Sequence, residues 1–361
     1  MTAFDTAAPH PAFDDPWGFD GFAFLEFGAV EAGPTGKLLS GLGFRLIGAR
    51  DDLLVLRQGE IGVIVNAIPG SAARTYAEMH GPALAGLGLR VRSPDAAWAR
   101  AIAAGATPTT GPGQEILPGP LAPRSVKGIG GTTLYFAGAG EDPVAALLEH
   151  CAPPPAGTEA PAPFLRAIDH ITFNVLPGNR AYWARFLGDA FRFRNVFEAD
   201  LIVDGSRTRT TVMQSPCNRI SLACNEPAGA DSPLYEQMRR FNGEGMQHLA
   251  FLTDDILAAA ARLDAAGLPV LPAPPDHHAR VRAAHPRLPL DLAALQAKDV
   301  LIDGEERDGI PAFILQRFTR PVLGPAFFEF VQRVNFPEGF VQRTAEALLK
   351  AVAASPAAPE R

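Results

Sequence analysis

The sequence predicts an α+β protein of two tandem halves, in which paired βαβββ modules form an open barrel and a lid helix follows at the C-terminal end. Three observations support this fold class. Strand-like runs alternate apolar and polar residues, one strand–helix pattern occurs twice with the same spacing, and residues 151–163 between the copies are rich in Pro, Ala and Gly. Two similar halves joined by a linker are therefore expected.

The repeat fixes a register between the halves. In the first half a strand leads from Gly86 into a capped helix that ends at Gly105. In the second half a strand leads from His248 into a capped helix that ends at Gly267. Because the two glycines follow at equal distances, Gly86 is predicted to occupy the position of His248.

The opening strands of the two halves also match in pattern. Residues 21–27 resemble residues 169–175, since both alternate large apolar side chains with smaller or polar ones. This alignment predicts that Phe22 lies at the position of His170. One half would then carry polar side chains at positions where the other carries none.

Three polar residues of the second half, His170, His248 and Glu329, each lie within an apolar strand-like run. These runs span residues 168–175, 245–252 and 327–332. A carboxylate among phenylalanines is costly to bury unless a cation or strong donors meet it. Two imidazoles and one carboxylate are the ligand set of non-heme Fe(II) oxygenases, so the sequence predicts an iron site.

Each of the three residues also has an ordinary explanation when taken singly. A strand histidine is often a hydrogen-bonded core residue, and a strand glutamate can face water at a sheet edge. Sequence distance does not show that the three converge.

Composition narrows the functional classes. The chain has 361 residues, 47% hydrophobic and 20% charged, with a net charge of −7. This acidity argues against nucleic acid or an anionic membrane as a partner. No apolar run is long enough for a membrane span, and residues 1–16 do not resemble an export signal. Three cysteines suit neither a disulfide framework nor a zinc site, so a cytoplasmic location is expected.

Several ordered motifs make the chain similar to the 4-hydroxyphenylpyruvate dioxygenase family, within the vicinal oxygen chelate superfamily. The similarity runs from about residue 16 to residue 340. It rests on residues 21–27, 57–61 and 126–131 in the first half, and on residues 169–175, 182–183, 225–227, 241–251, 274–276 and 327–333 in the second. The resemblance implies two vicinal-oxygen-chelate-type halves, of which only the second carries a metal.

The resemblance also implies a function. The iron ligands of the family correspond to His170, His248 and Glu329, so Fe(II) is the expected cofactor and O2 a substrate. The second substrate is expected to be a 2-oxo acid that chelates the metal. The reaction of the family is oxidative decarboxylation followed by ring hydroxylation and side-chain migration, which gives homogentisate.

Pocket residues can be carried over from the family by position. Asn225, Gln247 and Gln316 are the candidate catalytic and substrate-binding amides. The further candidate substrate contacts are Thr210, Phe318, Phe327 and Phe340. Phe318 and Phe327 are expected to enclose an aryl ring, although each could equally be a plain core residue.

The chain departs from the family pattern at several places. Thr210 stands where the family usually has Ser, and Pro233 where it has Gln. A His277-His278 pair replaces Thr-Tyr-Tyr and is expected in a solvated loop. The gate at residues 334–340 is shortened, which makes Phe340, or less favourably Phe336, the candidate gating aromatic. Gly339 is the expected hinge, and residues 344–353 the expected lid helix.

The predicted division is a tail at 1–15, a structural half at 16–150, a linker at 151–163, a catalytic half at 164–353 and a tail at 354–361. The altered pocket leaves three enzymatic alternatives open: homogentisate formation, 4-hydroxymandelate synthesis, and a related reaction on another 2-oxo acid. A non-catalytic binding protein of the same superfamily is the alternative from another class. A homo-oligomer, dimer or tetramer, is expected because family members commonly associate.

Overall fold

The computed structural model describes most of the chain. The described residues are 15–109, 124–154, 162–203, 206–229, 232–286, 288–307 and 310–335. Within them, no helix is both long and apolar enough to cross a membrane.

The first half is a seven-stranded sheet with helices packed against it. Its elements are β1 (Phe19–Gly28), α1 (Ala32–Gly41), β2 (Arg45–Arg50), β3 (Leu53–Gln58), β4 (Ile61–Asn66), α2 (Ala72–His80), β5 (Ala83–Val91), α3 (Pro94–Ala103), β6 (Ser125–Lys127), β7 (Thr133–Gly138) and α4 (Pro143–Leu148). The strand order is β2-β3-β4-β1-β5-β7-β6.

The second half repeats this plan with eight strands. Its elements are β8 (Leu165–Asn174), α5 (Asn179–Phe191), β9 (Arg194–Val203), β10 (Ser206–Gln214), β11 (Ser221–Pro227), α6 (Pro233–Phe241), β12 (Gly245–Thr253), α7 (Ile256–Ala265), α8 (His277–Ala284), α9 (Leu292–Ala297), β13 (Leu301–Arg307), β14 (Ile310–Phe318) and β15 (Phe327–Val334). The strand order is β13-β14-β15-β12-β8-β11-β10-β9.

The two sheets have the same topology. In each, the opening strand pairs in parallel with the last strand of its own βαβββ module and antiparallel with the first strand of the next. Strand β12 then pairs in parallel with β15, as β5 does with β7. The predicted fold class, with two vicinal-oxygen-chelate-type halves, is confirmed.

The pairing register confirms one predicted equivalence and corrects another. Gly86 pairs with Glu26 as His248 pairs with Thr172, so Gly86 and His248 are equivalent. Gly88 then corresponds to Ala250, which pairs with His170, and the residue paired with Gly88 is Phe24. Phe24, not Phe22, therefore stands at the position of His170. The sequence alignment is wrong by two residues.

The halves share one hydrophobic core. The ring of Phe19 meets those of Phe191 and Phe193 edge-on, with centroids 5.9 and 5.5 Å apart. Phe44 of the first half packs on Phe251 of the second at 5.7 Å. Burial of aromatic rings across this boundary fixes how the two sheets lie relative to each other.

Candidate metal centre

His170, His248 and Glu329 converge on one point. The Nε2 atoms of the two imidazoles are 3.1 Å apart, and Glu329 Oε2 lies 3.3 Å from each of them. All three residues are at least nine-tenths buried. The structure therefore brings together the side chains that the sequence predicted as a metal site.

The convergence follows from the register of three adjacent strands. On β12, Ala250 pairs with His170 of β8 on one side and with Glu329 of β15 on the other. His248 lies two residues earlier on β12, so its side chain projects from the same face. Ala250 has only a methyl group, which leaves room among the three side chains.

Two irregularities in the β8–β12 ladder lie next to the histidines. The register shifts between Met246 and His248, and again between Ala250 and Phe251, so Gln247 and Asp169 have no paired partner across the ladder. A bulge redirects the side chain of the extra residue. Both extra residues turn toward the histidine that follows them in sequence.

Each possible ligand is held by a second side chain. The Nδ1 atom of His170 is 2.9 Å from Asp169 Oδ2, and Nδ1 of His248 is 3.0 Å from Gln247 Oε1. Gln316 Nε2 donates to Glu329 Oε1, which leaves Oε2 facing the imidazoles. Partners of this kind fix the tautomer and orientation of metal-binding imidazoles.

Asp169 is itself fixed by an ion pair across the sheet. Arg333 Nε and Nη2 each lie 2.8 Å from one of its carboxylate oxygens. The side chain of Asp169 is 8% exposed, and its burial would raise the pKa, but the charge of Arg333 and its hydrogen bonds hold the pKa of this carboxyl below the usual range. His170 is thus supported by a permanent carboxylate, and His248 by a neutral amide.

The electrostatics of the cluster favour a positive charge at its centre. Burial disfavours the protonated form of His170, but the carboxylates of Glu329 and Asp169 outweigh it and raise its pKa to about 9. Burial would raise the pKa of Glu329, but the charge on His170 outweighs it and lowers the pKa to about 2. Burial also lowers the pKa of His248.

The donor set fits a metal ion. Protons on the two Nδ1 atoms, donated to Asp169 and Gln247, leave both Nε2 lone pairs directed at the same space as Glu329 Oε2. Three electron-rich atoms at such separations repel one another unless a cation lies among them. One face of three donors with other positions open matches the two-histidine, one-carboxylate iron sites.

A polar network extends from the metal centre along the same face. Thr210 Oγ1 donates to Asn225 Oδ1 at 2.7 Å, and Asn225 Nδ2 lies 3.4 Å from Gln247 Oε1. Gln247 Nε2 approaches Gln237 Oε1 at 3.4 Å. The predicted polar residues Thr210, Asn225 and Gln247 therefore lie in one chain of hydrogen bonds that ends at His248.

Two aromatic rings lie beside the metal centre. Phe327 stacks on His248 with centroids 5.1 Å apart, and Phe318 meets Phe327 edge-on at 6.3 Å. Both rings are buried. The other proposed gate residues, namely Phe336, Gly339, Phe340 and the lid helix at 344–353, lie outside the described residues.

The histidine pair at 277–278 is not in a solvated loop, so that prediction is wrong. Both residues begin helix α8 and are buried, with 7% and 2% of their surface exposed. His277 Nε2 accepts the amide hydrogen of Ile302, and His278 Nε2 donates to the carbonyl of Val300. Burial lowers the pKa of His277 to about 4, which keeps it a neutral acceptor. The pair attaches α8 to β13.

Sequence reasoning missed four residues of this site. Asp169, Thr172 and Arg333 contact the possible ligands or their partners, and Gln237 accepts from both Gln247 and Asn174. Of the four, only Asp169 has a signal in the sequence, because an acidic residue directly before a possible histidine ligand can support that histidine.

Comparison with known proteins decides the family. A model described as "Hydroxyphenylpyruvate dioxygenase, HPPD, N-terminal" matches residues 13–143, and one for the "Glyoxalase/Bleomycin resistance protein/Dioxygenase superfamily" matches residues 167–291. The 4-hydroxyphenylpyruvate dioxygenase of Pseudomonas sp. (strain P.J. 874) is 32% identical over 353 residues, which is 94% of this chain and 96% of that protein. The chain belongs to the 4-hydroxyphenylpyruvate dioxygenase family.

Further relatives agree. The 4-hydroxyphenylpyruvate dioxygenase of Legionella pneumophila (strain Philadelphia 1) is 32% identical over 346 residues, covering 94% of this chain and 95% of that protein. A triple mutant of 4-hydroxymandelate synthase from Streptomyces coelicolor superposes with a TM-score of 0.75 at 24% identity, covering 92% of this chain and 98% of that one. At 24% identity, the similarity to this synthase supports the fold alone.

Membership in this family and the buried cluster make the protein a non-heme iron dioxygenase with Fe(II) as its cofactor. The binding-protein alternative is thereby set aside.

Proposed function

We propose that this family member converts 4-hydroxyphenylpyruvate and O2 to homogentisate and CO2, a step of tyrosine catabolism. The observation that carries the proposal is the His170–His248–Glu329 cluster in a chain that aligns over nearly its whole length with relatives named for this substrate.

In this proposal, His170, His248 and Glu329 hold the iron, and their partners Asp169 and Gln247 keep both Nδ1 protons away from it. Bound iron supplies the activation of O2 that couples decarboxylation of the keto acid to hydroxylation of the ring. The protein's own contribution is to orient the donors and exclude water, since the ligands are at least nine-tenths buried.

Residues around the cluster would orient the substrate. Phe318 and Phe327 form an aromatic wall beside His248, suited to an aryl ring. Gln316 Oε1 is buried and has no hydrogen-bond partner among the described residues. An unpaired buried acceptor is costly, so a donor group on a bound ligand would stabilise it. We assign Gln316 as a substrate contact on this basis, and Asn225 on its place in the polar network that ends at His248.

A relaxed preference for the ring hydroxyl is the second candidate, and Pro233 and Thr210 favour it. Pro233 begins helix α6 and offers no side-chain hydrogen bond. The hydroxyl of Thr210 is donated to Asn225, so it is not free to donate to a substrate. A site with fewer polar partners discriminates less against a substrate that lacks the hydroxyl. Benzylic hydroxylation to 4-hydroxymandelate is the remaining alternative.

The test is oxygen uptake by anaerobically iron-loaded protein with 4-hydroxyphenylpyruvate, phenylpyruvate and an aliphatic 2-oxo acid, coupled to product identification. Homogentisate from the first compound supports the proposal. 4-Hydroxymandelate, or uptake with the aliphatic acid alone, contradicts it. Equal turnover of the first two compounds supports the relaxed preference, and a strict requirement for the phenol refutes it.

Cytoplasmic location, the homo-oligomeric state and the domain boundaries stay proposals. The three cysteines are free, which suits a reducing compartment. Sedimentation of the iron-loaded protein would give the oligomeric state.

A further inference from the structure

A cavity lies between the two halves, and the aromatic residues Phe318 and Phe327 of the metal centre do not line it. Its volume is about 390 Å³, within the range of small-molecule sites. The start of β1, the start of β4 and the start of β8 all contribute to it. Its apolar lining includes Phe22, Ile61 and Leu252. The space is large enough for a small organic molecule and has surface to hold an apolar body.

The charged lining of this inter-half cavity contains one more basic residue than acidic residues. Four arginines and three acidic residues line it, although the chain as a whole has a net charge of −7. The arginines are Arg90, Arg166, Arg219 and Arg333, and the acids are Asp20, Glu60 and Asp169.

Most of these charges are already paired. Arg333 binds Asp169, Arg219 binds Asp20, and Arg166 reaches Asp254, which does not line the cavity. What remains is Arg90 and the exposed Glu60, which do not form an ion pair with each other in the described part of the chain.

Arg90 is therefore the unusual residue. It lies on β5, is half-buried, and its side chain makes neither a hydrogen bond nor an ion pair with any described residue. A guanidinium has five donors and cannot lose its charge, so partial burial without an acceptor is unfavourable. A carboxylate matches its planar geometry with two parallel hydrogen bonds.

We propose that the inter-half cavity binds a small organic carboxylate with an apolar body, with Arg90 as the partner of the carboxylate and Phe22 and Ile61 as contacts of the apolar part. The wall of this cavity includes Asp169, which contacts His170 Nδ1, and Arg333, which forms an ion pair with Asp169. The site is separate from the positions around the iron ligands, because Gln316, Phe318 and Phe327 do not line it.

The test is calorimetric titration of phenylacetate into the full chain, loaded with Fe(II) under anaerobic conditions. Four proteins are compared: wild type, Arg90→Gln, Arg90→Lys and Arg45→Gln. Arg45 is an exposed arginine on β2 of the same sheet and serves as the matched control. A fifth protein, Gln316→Leu, reports binding beside the iron. Thermal midpoints establish that each variant is folded.

The expected result is binding that weakens at least about tenfold in Arg90→Gln, as the loss of a charge-assisted contact predicts. Arg45→Gln and Gln316→Leu should bind as wild type does, and Arg90→Lys should retain part of the affinity. Inorganic phosphate and benzyl alcohol, which lack the apolar body and the charge respectively, should bind at least about tenfold more weakly than phenylacetate.

Wild-type affinity in Arg90→Gln, or loss in Gln316→Leu alone, would place phenylacetate at the iron and overturn the proposal. Phosphate binding as tight as phenylacetate would overturn the ligand class. If Arg90→Gln does not fold, Arg90→Lys takes its place, because it keeps the charge but not the two parallel hydrogen bonds of the guanidinium, and wild-type affinity in that variant contradicts the proposed pairing. No turnover is measured, so the result does not depend on the proposed reaction.

Discussion

The same three sheet positions carry different chemistry in the two halves. The second half has the histidine, histidine and glutamate of the metal centre, whereas the first half has Phe24, Gly86 and Tyr135 in the same order. The backbone pairing is the same in both halves. Both ladders even have a register shift next to this position, beside Phe24 in the first half and beside His170 in the second. The fold therefore supplies the geometry of a metal site without requiring one.

The first half also buries a carboxyl group here, that of Glu26, which pairs with Gly86 across the ladder. Among the described residues, hydrogen-bond donors and no cationic side chain contact this carboxyl group. Tyr135 donates to Glu26 Oε2 at 2.7 Å, and Asn66 Nδ2 donates to Oε1 at 2.8 Å. Burial outweighs these bonds and raises the pKa of Glu26. Glu329, by contrast, is stabilised as an anion by the histidine charge. The comparison teaches that a buried carboxyl is tolerated either protonated among donors or ionised beside positive charge.

The largest difference between the halves is expected when the equivalent residues His248 and Gly86 are each replaced by alanine. His248→Ala should lose iron binding and turnover entirely because a metal ligand is removed, and the chain should stay folded although the stacking on Phe327 is lost. Metal analysis and oxygen uptake measure this. Gly86→Ala should keep iron, since it lies in the other half.

The cost of Gly86→Ala should fall on stability instead. An added Cβ would lie 2.7 Å from Glu26 Oε2 and 2.8 Å from Tyr135 Cε2, closer than such atoms approach. Overpacking of this kind destabilises by about 1–3 kcal/mol. In urea unfolding, Gly86→Ala should be less stable than His248→Ala, although it keeps its iron and His248→Ala does not. Iron loss in Gly86→Ala would contradict the assignment of the metal centre to the second half alone.

The second test replaces each buried carboxyl by its amide. Glu329→Gln should lose iron, whereas Glu26→Gln should keep it and change only the pH dependence of stability. With its pKa raised on folding from the ordinary 4.5, Glu26 binds a proton in the folded state that the unfolded chain has released. The contribution of Glu26 to the stability of wild type is therefore complete below pH 4.5, and it declines as the pH rises toward the pKa of Glu26 in the folded protein.

Glu26→Gln removes this decline, so its stability relative to wild type should increase between about pH 5 and about pH 8. Urea midpoints at the two pH values provide the measurement. A relative stability that is constant or falls with pH would mean that Glu26 is ionised in the folded protein.

A smaller effect is expected from the support of His170. Asp169→Asn leaves an acceptor for Nδ1 but removes the charge, so iron affinity should fall by about 10–100-fold. Competition with a chelator measures the affinity. The control is Asp95→Asn, an exposed acid paired with Arg124 in the first half. Equal affinities in the two variants would show that the Asp169–Arg333 pair serves only the fold.

The smallest expected effect concerns ring specificity. Thr210→Ser introduces the residue that the resemblance predicts at this position. It should change the ratio of turnover for 4-hydroxyphenylpyruvate and phenylpyruvate by less than about tenfold, because the Asn225 contact is retained. Steady-state kinetics on both compounds gives the ratio. Iron content should not change, and a loss of iron would place Thr210 in the metal site.

The sequence predicted the parts of this comparison that follow from regular alternation. The sequence aligns Gly86 correctly with His248 because α3 and α7 begin and end at equivalent positions. The side chain of Asp255 caps α7, whereas Ser93 makes no cap hydrogen bond at the start of α3. Phe24 was missed because irregular pairing near the start of β1 and β8 breaks the two-residue period. A bulge depends on pairing between distant strands and leaves no local signal.

The same reason explains the supporting residues that sequence reasoning missed. Asp169 precedes His170, but its role depends on Arg333, which follows far along the chain. The burial of His277 depends on β13, because the backbone N–H of Ile302 in that strand donates a hydrogen bond to His277 Nε2. Polar side chains in short loops and helices are thus placed by tertiary partners, which composition does not reveal.

The most direct test of the account is the iron content of the full chain after anaerobic loading and removal of unbound metal. The account predicts one tightly bound iron per chain in wild type and in Glu26→Gln, and none in His248→Ala or Glu329→Gln. Iron retained by either of the last two variants, or two irons per wild-type chain, would contradict a single metal centre in the second half.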